Sequence, residues 1–133
     1  MMDTSAFGGK GPTPCLILTT IGRRSGEKRS APLIYGKVGK VGKVPSGAGS
    51  DYDYIIIGSK GGAPEHASWY LNLVANPEVE VQVGADRFAA RARIASGDER
   101  ARLWAQMVDV YPPYAEYQSK TTRKIPVIVL ERS

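Results

Sequence analysis

The chain holds one cysteine and one histidine, and each scarcity closes off a class of chemistry. Cys15 has no second thiol for an internal disulfide, so the fold has to stand on its core, as cytosolic chains do. It sits in an apolar stretch with no basic neighbour, which suits a buried, inert thiol. One His, one Cys and no carboxylate cluster at ligand spacing argue against a metal centre. A Ser-His-Asp arrangement would have to use His66, which falls on the apolar stripe of its segment and reads as a packing or ordinary hydrogen-bonded residue. Asp51 and Asp53 read as solvated loop residues, not as a paired acid and base. No apolar run reaches the ~18–20 residues of a membrane span. The opening MMDTSAFGGKGPTP lacks a basic start followed by an apolar stretch, so no secretory signal is visible and a cytoplasmic location is expected.

What is present is a soluble composition, 42% hydrophobic and 23% charged over 133 residues, the size of one ordinary domain. The net charge of +5 is unevenly placed. Residues 1–60 carry nine Lys/Arg against four Asp/Glu, and residues 61–133 carry nine of each. The excess therefore gathers around TTIGRRSGEKRSAPLIY, Thr19 to Tyr35, where Arg23, Arg24, Lys28 and Arg29 crowd a turn punctuated by Gly22, Ser25 and Gly26. Glycines let such a turn approach a ligand and aim backbone N–H groups at an anion, and guanidinium groups add bidentate grip on phosphate or carboxylate. The spacing is not that of a phosphate-binding loop. The same residues also suit a solvated hairpin turn. No aromatic side chains are interleaved with them, which weighs against nucleic acid.

Residues 1–13 read as a loose tail, and residues 14–133 as a single domain. Cys15 to Thr20 is expected as the first strand and Arg29 to Val38 as the second. A glycine-rich connection, Gly39 to Ser50, precedes a short apolar strand, Tyr54 to Gly58. After Ser59-Lys60-Gly61-Gly62, a second candidate ligand loop, a helix is expected with Pro64 in its first turn. Its stripe is His66, Trp69, Tyr70, Leu73 and Val74, and Pro77 ends it. Two alternating runs then form a hairpin. Pairing Val83 with Phe88 sets Glu80 opposite Arg91 and Glu78 opposite Arg93. Ser96 to Glu99 reads as a capping box for a helix running to about Val110, with Leu103, Trp104, Met107, Val108 and Tyr111 inward. Pro112-Pro113 stops it, Tyr114 to Thr122 adds a short helical turn, and Ile125 to Leu130 closes the chain as a central strand. About six strands with two to three helices, not regularly alternating, indicate an α+β class and a small closed or half-closed barrel.

Tyr111, Tyr114 and Tyr117 follow one another at three-residue spacing. They suit one wall of a pocket, each with an aromatic face and an O–H donor, or equally a core or surface position. With Trp69 and Tyr70 they would enclose a flat ligand whose anionic tail the basic turn holds.

Three long blocks, TTIGRRSGEKRSAPLIY, SKGGAPEHASWYLNLVANPEVEVQVG and WAQMVDVYPPYAEYQSKTTRKIPVIVLER, resemble the deazaflavin-dependent nitroreductase and quinone reductase family of actinobacteria, over roughly Cys15 to Arg132. The resemblance implies an FMN-binding split-barrel-like fold. It also implies an enzyme that binds the 8-hydroxy-5-deazaflavin coenzyme F420 and passes a hydride to a menaquinone-like quinone or a nitroimidazole. By motif, Arg23, Arg24, Ser25 and Arg29 would hold the coenzyme's phosphate and polyglutamate tail. Ser30, Ala31, Pro32, Leu33 and Ile34 would run along the deazaflavin. Ile57, Gly58, Ser59 and Lys60 would close the other side, and Ser68, Trp69, Tyr70, Leu71 and Asn72 would complete the pocket. Tyr111, Tyr114 and Tyr117 match substrate-side tyrosines, Tyr114 also near the ring, and Ser59 matches a residue that orients the acceptor. A quinone substrate would allow weak association with the inner face of the cell membrane. The long Gly39 to Asp53 loop and the short glycine-rich start depart from the family pattern. An FMN-dependent reductase and a non-catalytic deazaflavin carrier are the other readings the residues leave open.

Overall fold

The computed structural model describes residues 14–39, 52–62 and 66–132. The tail 1–13, Pro64, Asp51 and the glycine-rich connection over 40–50 lie outside them. Seven strands, β1 (Cys15–Ile21), β2 (Lys28–Ile34), β3 (Gly36–Gly39), β4 (Tyr52–Ile57), β5 (Glu78–Val83), β6 (Asp86–Ile94) and β7 (Val127–Arg132), form one antiparallel sheet in the order β2-β1-β5-β6-β7-β4-β3. Helices α1 (Ser68–Ala75), α2 (Gly97–Val110) and α3 (Pro113–Ser119) and a 3-10 turn at Lys60–Gly62 complete the α+β architecture. The single expected strand from Arg29 to Val38 is two strands, which raises the number from six to seven. Only Tyr35 separates β2 from β3, although they are the opposite edges of the sheet. Adjacent Cα atoms are about 3.8 Å apart, so the edges must meet there and the sheet must curl into a half-barrel.

Two cores lie on the two sides of that curl. Leu16, Leu18, Tyr54, Ile56, Val79, Val81, Ile128 and Leu130 fill the inside, where Leu73 of α1 joins them. Ile55, Ile57, Val127 and Val129 face the other way, onto Leu103, Met107 and Tyr114 of α2 and α3. β4 and β7 therefore contribute to both cores, which is why their sequences are apolar without alternation. β7 lies between β6 and β4, an interior position as expected. Asp53 lies in β4 opposite Val38, half-buried, and is not a loop residue.

Three local expectations change. First, the hairpin pairs Val83 with Asp86, Val81 with Phe88 and Glu78 with Arg91, two residues away from the expected register. Gly84, at φ 60°, takes the first central position of a two-residue turn, where such hairpins favour glycine. Neither expected charge pair forms: Arg91 pairs with Glu78 instead of Glu80, Glu80 meets Lys28 at 2.8 Å, and Arg93 meets Glu131 at 3.2 Å. Second, Ser96 occupies the N-cap of α2 without a side-chain cap bond, and Glu99, instead of reaching back to it, pairs with Arg93 at 2.6 and 2.8 Å. Third, α1 starts at Ser68, with His66 before it and Ala67 extended; Trp69, Tyr70 and Leu73 pack on the inner core as expected, while Val74 faces outward. Asn76, extended before Pro77, ends α1 as expected. No described helix is long and apolar enough to cross a membrane.

Candidate functional site

Between β1 and β2 the chain reverses in a tight turn. The Gly22 N–H donates to the Glu27 carbonyl at 2.7 Å, and the Gly26 N–H to the Gly22 carbonyl at 2.9 Å, with Gly26 at φ 73°. The Glu27 N–H donates to Ser25 Oγ at 3.2 Å, and the Arg23 N–H to Asn72 Oδ1 at 3.2 Å. Four of the turn's N–H groups are thus engaged inside the protein. Arg23 Nη1 donates to Asn72 Oδ1 at 2.9 Å, while Arg29 faces Glu27 at 3.3 Å. Arg24 is exposed and has no partner among the described residues. Lys28 is turned to Glu80 on the outer face.

A cleft of about 480 Å³ opens beside this turn, lined by Gly22, Arg23, Arg24, Ser25, Arg29, Ser30 and Ala31 together with Ser68, Trp69 and Asn72 of α1. A second cleft of about 330 Å³ is lined by Pro32, Leu33, Ile34, Ile57, Ser59, Lys60, Ala67, Trp69, Tyr111, Tyr114 and Tyr117. Trp69 lines both, and β2 passes from one into the other between Ala31 and Pro32. One end of the joined groove is cationic and the other phenolic. Of the residues expected at a site, Gly58, Tyr70 and Leu71 line neither cleft. Gly58 is buried against Pro126, where a Cβ would come within 2.8 Å of the proline ring. Tyr70 packs on His66 with ring centroids 4.6 Å apart, and Leu71 is half-buried on α1 without reaching the groove. Gly22 of the basic turn also lines the groove, and so does Ala67, which the sequence did not single out.

The phenols form a packed trio. Tyr111 and Tyr114 meet edge to face at 5.0 Å, Tyr114 and Tyr117 at 6.3 Å. The Tyr111 and Tyr117 hydroxyls are 3.4 Å apart, and this bond, then burial, pushes the Tyr111 hydroxyl up to about 12. Burial, then the neighbouring Tyr111 and Tyr117, pushes the Tyr114 hydroxyl higher still, so it stays protonated and able to donate. Tyr114 is 5% exposed and its hydroxyl has no hydrogen-bond partner among the described residues. At the cleft wall that hydroxyl is a donor which an oxygen in the cleft could accept from. Opposite stands the Ser59–Gly62 turn, with Lys60 at φ 46°, a left-handed conformation that lysine adopts only when its surroundings impose it. The Arg123 guanidinium, which no sequence pattern singles out, donates to the Gly58 and Ser59 carbonyls behind that turn.

A curled antiparallel half-barrel with a groove cationic at one end and phenolic at the other has the shape and charge that suit a flat molecule with an anionic tail. The same half-barrel occurs in a pyridoxamine 5'-phosphate oxidase-related, FMN binding protein from Nostoc punctiforme, at 12% identity and a TM-score of 0.53, over 90% of this chain and 71% of that one. At that identity the likeness concerns the fold alone. The solved F420-H2 dependent reductase FDR-A is 44% identical with a TM-score of 0.72, covering 89% of this chain and 94% of that one. The F420H(2)-dependent quinone reductase Rv1261c of Mycobacterium tuberculosis is 39% identical over 126 residues, 92% of this chain and 76% of that protein. The model of the F420H(2)-dependent quinone reductase family matches residues 2–132. The chain belongs to that family, whose coenzyme is the reduced deazaflavin F420H2. Among the readings left open by the residues, the family favours deazaflavin over FMN.

Proposed function

We propose that the joined groove is the active site of an F420H2-dependent oxidoreductase that reduces a quinone. The carrying observation is that the cationic and phenolic clefts adjoin at Trp69. The donor set fits the coenzyme: a dianionic, carboxylated tail asks for cations that no internal anion fully neutralises, and Arg24 and Arg29 at the basic turn supply them. Arg23 and Ser25 complete that end, with Asn72 fixing the Arg23 fork. Ser30 to Ile34 give the coenzyme a rail along β2, and Trp69 an apolar face. When bound, the reduced coenzyme supplies a hydride.

The chain's own residues position and stabilise. Tyr111, Tyr114 and Tyr117 wall the acceptor end and keep water from it. The Tyr114 hydroxyl donates a hydrogen bond to the acceptor oxygen on which negative charge develops, with Ser59 and Tyr117 as further donors. The rate gained depends on the donors being in place before charge forms, which the packed phenol trio provides. Nitroaromatic rings, flat and bearing oxygens with partial negative charge, suit the same wall, so nitroimidazoles are proposed as second acceptors. The test is titration of purified protein with coenzyme F420, followed by mixing the reduced complex with menadione and with a nitroimidazole. Loss of the reduced coenzyme at a rate set by acceptor concentration is expected. Tyr114→Phe lowers kcat by about 10- to 100-fold with coenzyme Kd nearly unchanged. Arg24→Ala with Arg29→Ala raises that Kd and spares kcat at saturation. Binding without any turnover would make the chain a carrier.

A further inference from the structure

We propose that Arg123 is a positioning residue that clamps the two walls of the acceptor cleft together. This deepens the reading of the groove given above and rests on it. Arg123 lies between α3 and β7, outside both clefts. Its Nη1 donates to the Gly58 carbonyl at 3.2 Å and its Nη2 to the Ser59 carbonyl at 2.7 Å. The same Nη1 lies 3.3 Å from His66 Nδ1. A guanidinium only donates, so Nδ1 accepts and the imidazole carries its proton on Nε2. Burial, then Arg123 itself, depresses the His66 basicity and keeps that ring neutral and accepting. The Arg123 backbone is tied in turn to the tyrosine helix: Gln118 Nε2 donates to the Arg123 carbonyl at 2.8 Å, and Gln118 Oε1 accepts the Ile125 N–H at 2.9 Å. Gln118 follows Tyr117 directly on α3.

An unbroken set of hydrogen bonds therefore runs from Tyr117's helix, through Arg123, to the backbone of Ser59. The Ser59 carbonyl also accepts the Gly62 N–H at 2.9 Å, closing the turn that holds Lys60 left-handed. Strain of that kind persists only where neighbours over-determine it, and the Arg123 fork is one long-range contact that does so. The planar fork is essential, because it spans two carbonyls and an imidazole at once, which an ammonium on a flexible stem does not. Ser59 and the three phenols then stand at a set separation across the acceptor.

The test compares wild type with Arg123→Lys and Arg123→Ala in the intact chain, using amide hydrogen exchange without coenzyme, coenzyme F420 Kd, and kcat with menadione. In both variants, exchange over residues 58–62 and 113–119 is expected to rise about tenfold or more, while the β5–β6 amides keep wild-type protection. The expected kcat falls about tenfold, more than the coenzyme Kd rises, and guanidinium ion in the buffer restores part of it to Arg123→Ala but adds nothing to wild type. Unchanged exchange in Arg123→Lys, or a Kd that rises as much as kcat falls, overturns the clamp. Should Arg123→Ala not fold, Arg123→Lys decides by the same measures. If wild type itself transfers no hydride yet exchange loosens as stated, the clamp stands and the functional reading fails.

Discussion

Asn72 accepts hydrogen bonds from both the backbone N–H and the guanidinium of Arg23, at 3.2 and 2.9 Å, and its Nδ2 donates to Thr20 Oγ1 at 3.3 Å. Asn72 and Thr20 are both buried, so one amide on α1 determines where the basic turn sits against the helix. Replacing Asn72 with Ala leaves a backbone N–H and the Thr20 hydroxyl without their partner, at a cost of about 1–3 kcal/mol. The freed turn no longer presents its arginines in one arrangement. Asn72→Ala is expected to lower the unfolding temperature and to weaken coenzyme binding by about tenfold, roughly 1.4 kcal/mol. Thermal unfolding and coenzyme titration check the two effects. Wild-type affinity in a destabilised variant would detach the turn from binding.

Gly62 tests the far wall. It is buried at φ 82°, and a Cβ there would lie 2.8 Å from the Tyr117 carbonyl oxygen. That oxygen is backbone in α3, so it yields only if the helix moves. Gly62→Ala therefore combines left-handed strain with a clash, at a cost of at least ~2 kcal/mol. The variant is expected to unfold earlier and to lose kcat more than coenzyme affinity, because the displaced wall carries Tyr117. Gly84→Ala, which meets nothing within 4 Å at a similar φ, is the control with strain alone.

These positions show which features the chain makes legible. β4 and β7 are plain in the sequence because burial on both faces leaves an unbroken apolar run. The helix stops at Pro77 and at Pro112-Pro113 are plain because proline acts locally. The hairpin register was not recoverable: a slip of two residues keeps every side chain on its face, so apolar alternation is blind to it. Charge matching then favoured Glu78 with Arg93, whereas Arg93 finds Glu99 and Glu131 from other elements. The groove was largely legible, since basic turn, β2, Trp69 and phenols all line it. Arg123 was not, because its partners are 57 to 65 residues away and its neighbours mark no motif.

The Arg93–Glu99 pair makes an acid-side prediction. The hydrogen bond from Arg93 holds the Glu99 carboxyl below the usual carboxylate range, against opposing burial. A carboxyl depressed in the folded state adds stability above its unfolded value, and that stability is lost as pH falls through the folded value. The loss thus belongs below roughly pH 4.3. Both side chains are about a third or more exposed, so the contribution is on the order of 0.5–1 kcal/mol. Glu99→Gln is expected to lower stability by that amount at neutral pH and by little in acid. Urea unfolding at two pH values measures it, and an equal loss at both would remove the charge from the explanation.

The phenol trio makes the alkaline counterpart. Tyr111 is held up to about 12 first by its bond to Tyr117, and Tyr114 is raised chiefly by burial. For a phenol raised on folding, the stabilisation is complete below the unfolded value near 10 and disappears as pH climbs through the folded one. Stability is therefore expected to decline from about pH 10 upward, and the ultraviolet phenolate band of the native protein to develop late. Tyr117→Phe removes the largest cause and should bring Tyr111 back toward the ordinary value, visible as an earlier step in that titration. Turnover with menadione should show no phenol-dependent limb through the neutral range, because Tyr114 stays a donor throughout. A fall in kcat between about pH 8 and 9 that Tyr114→Phe abolishes would mean that this phenol ionises far more easily than its burial dictates, and would end its role as the standing donor to the acceptor oxygen.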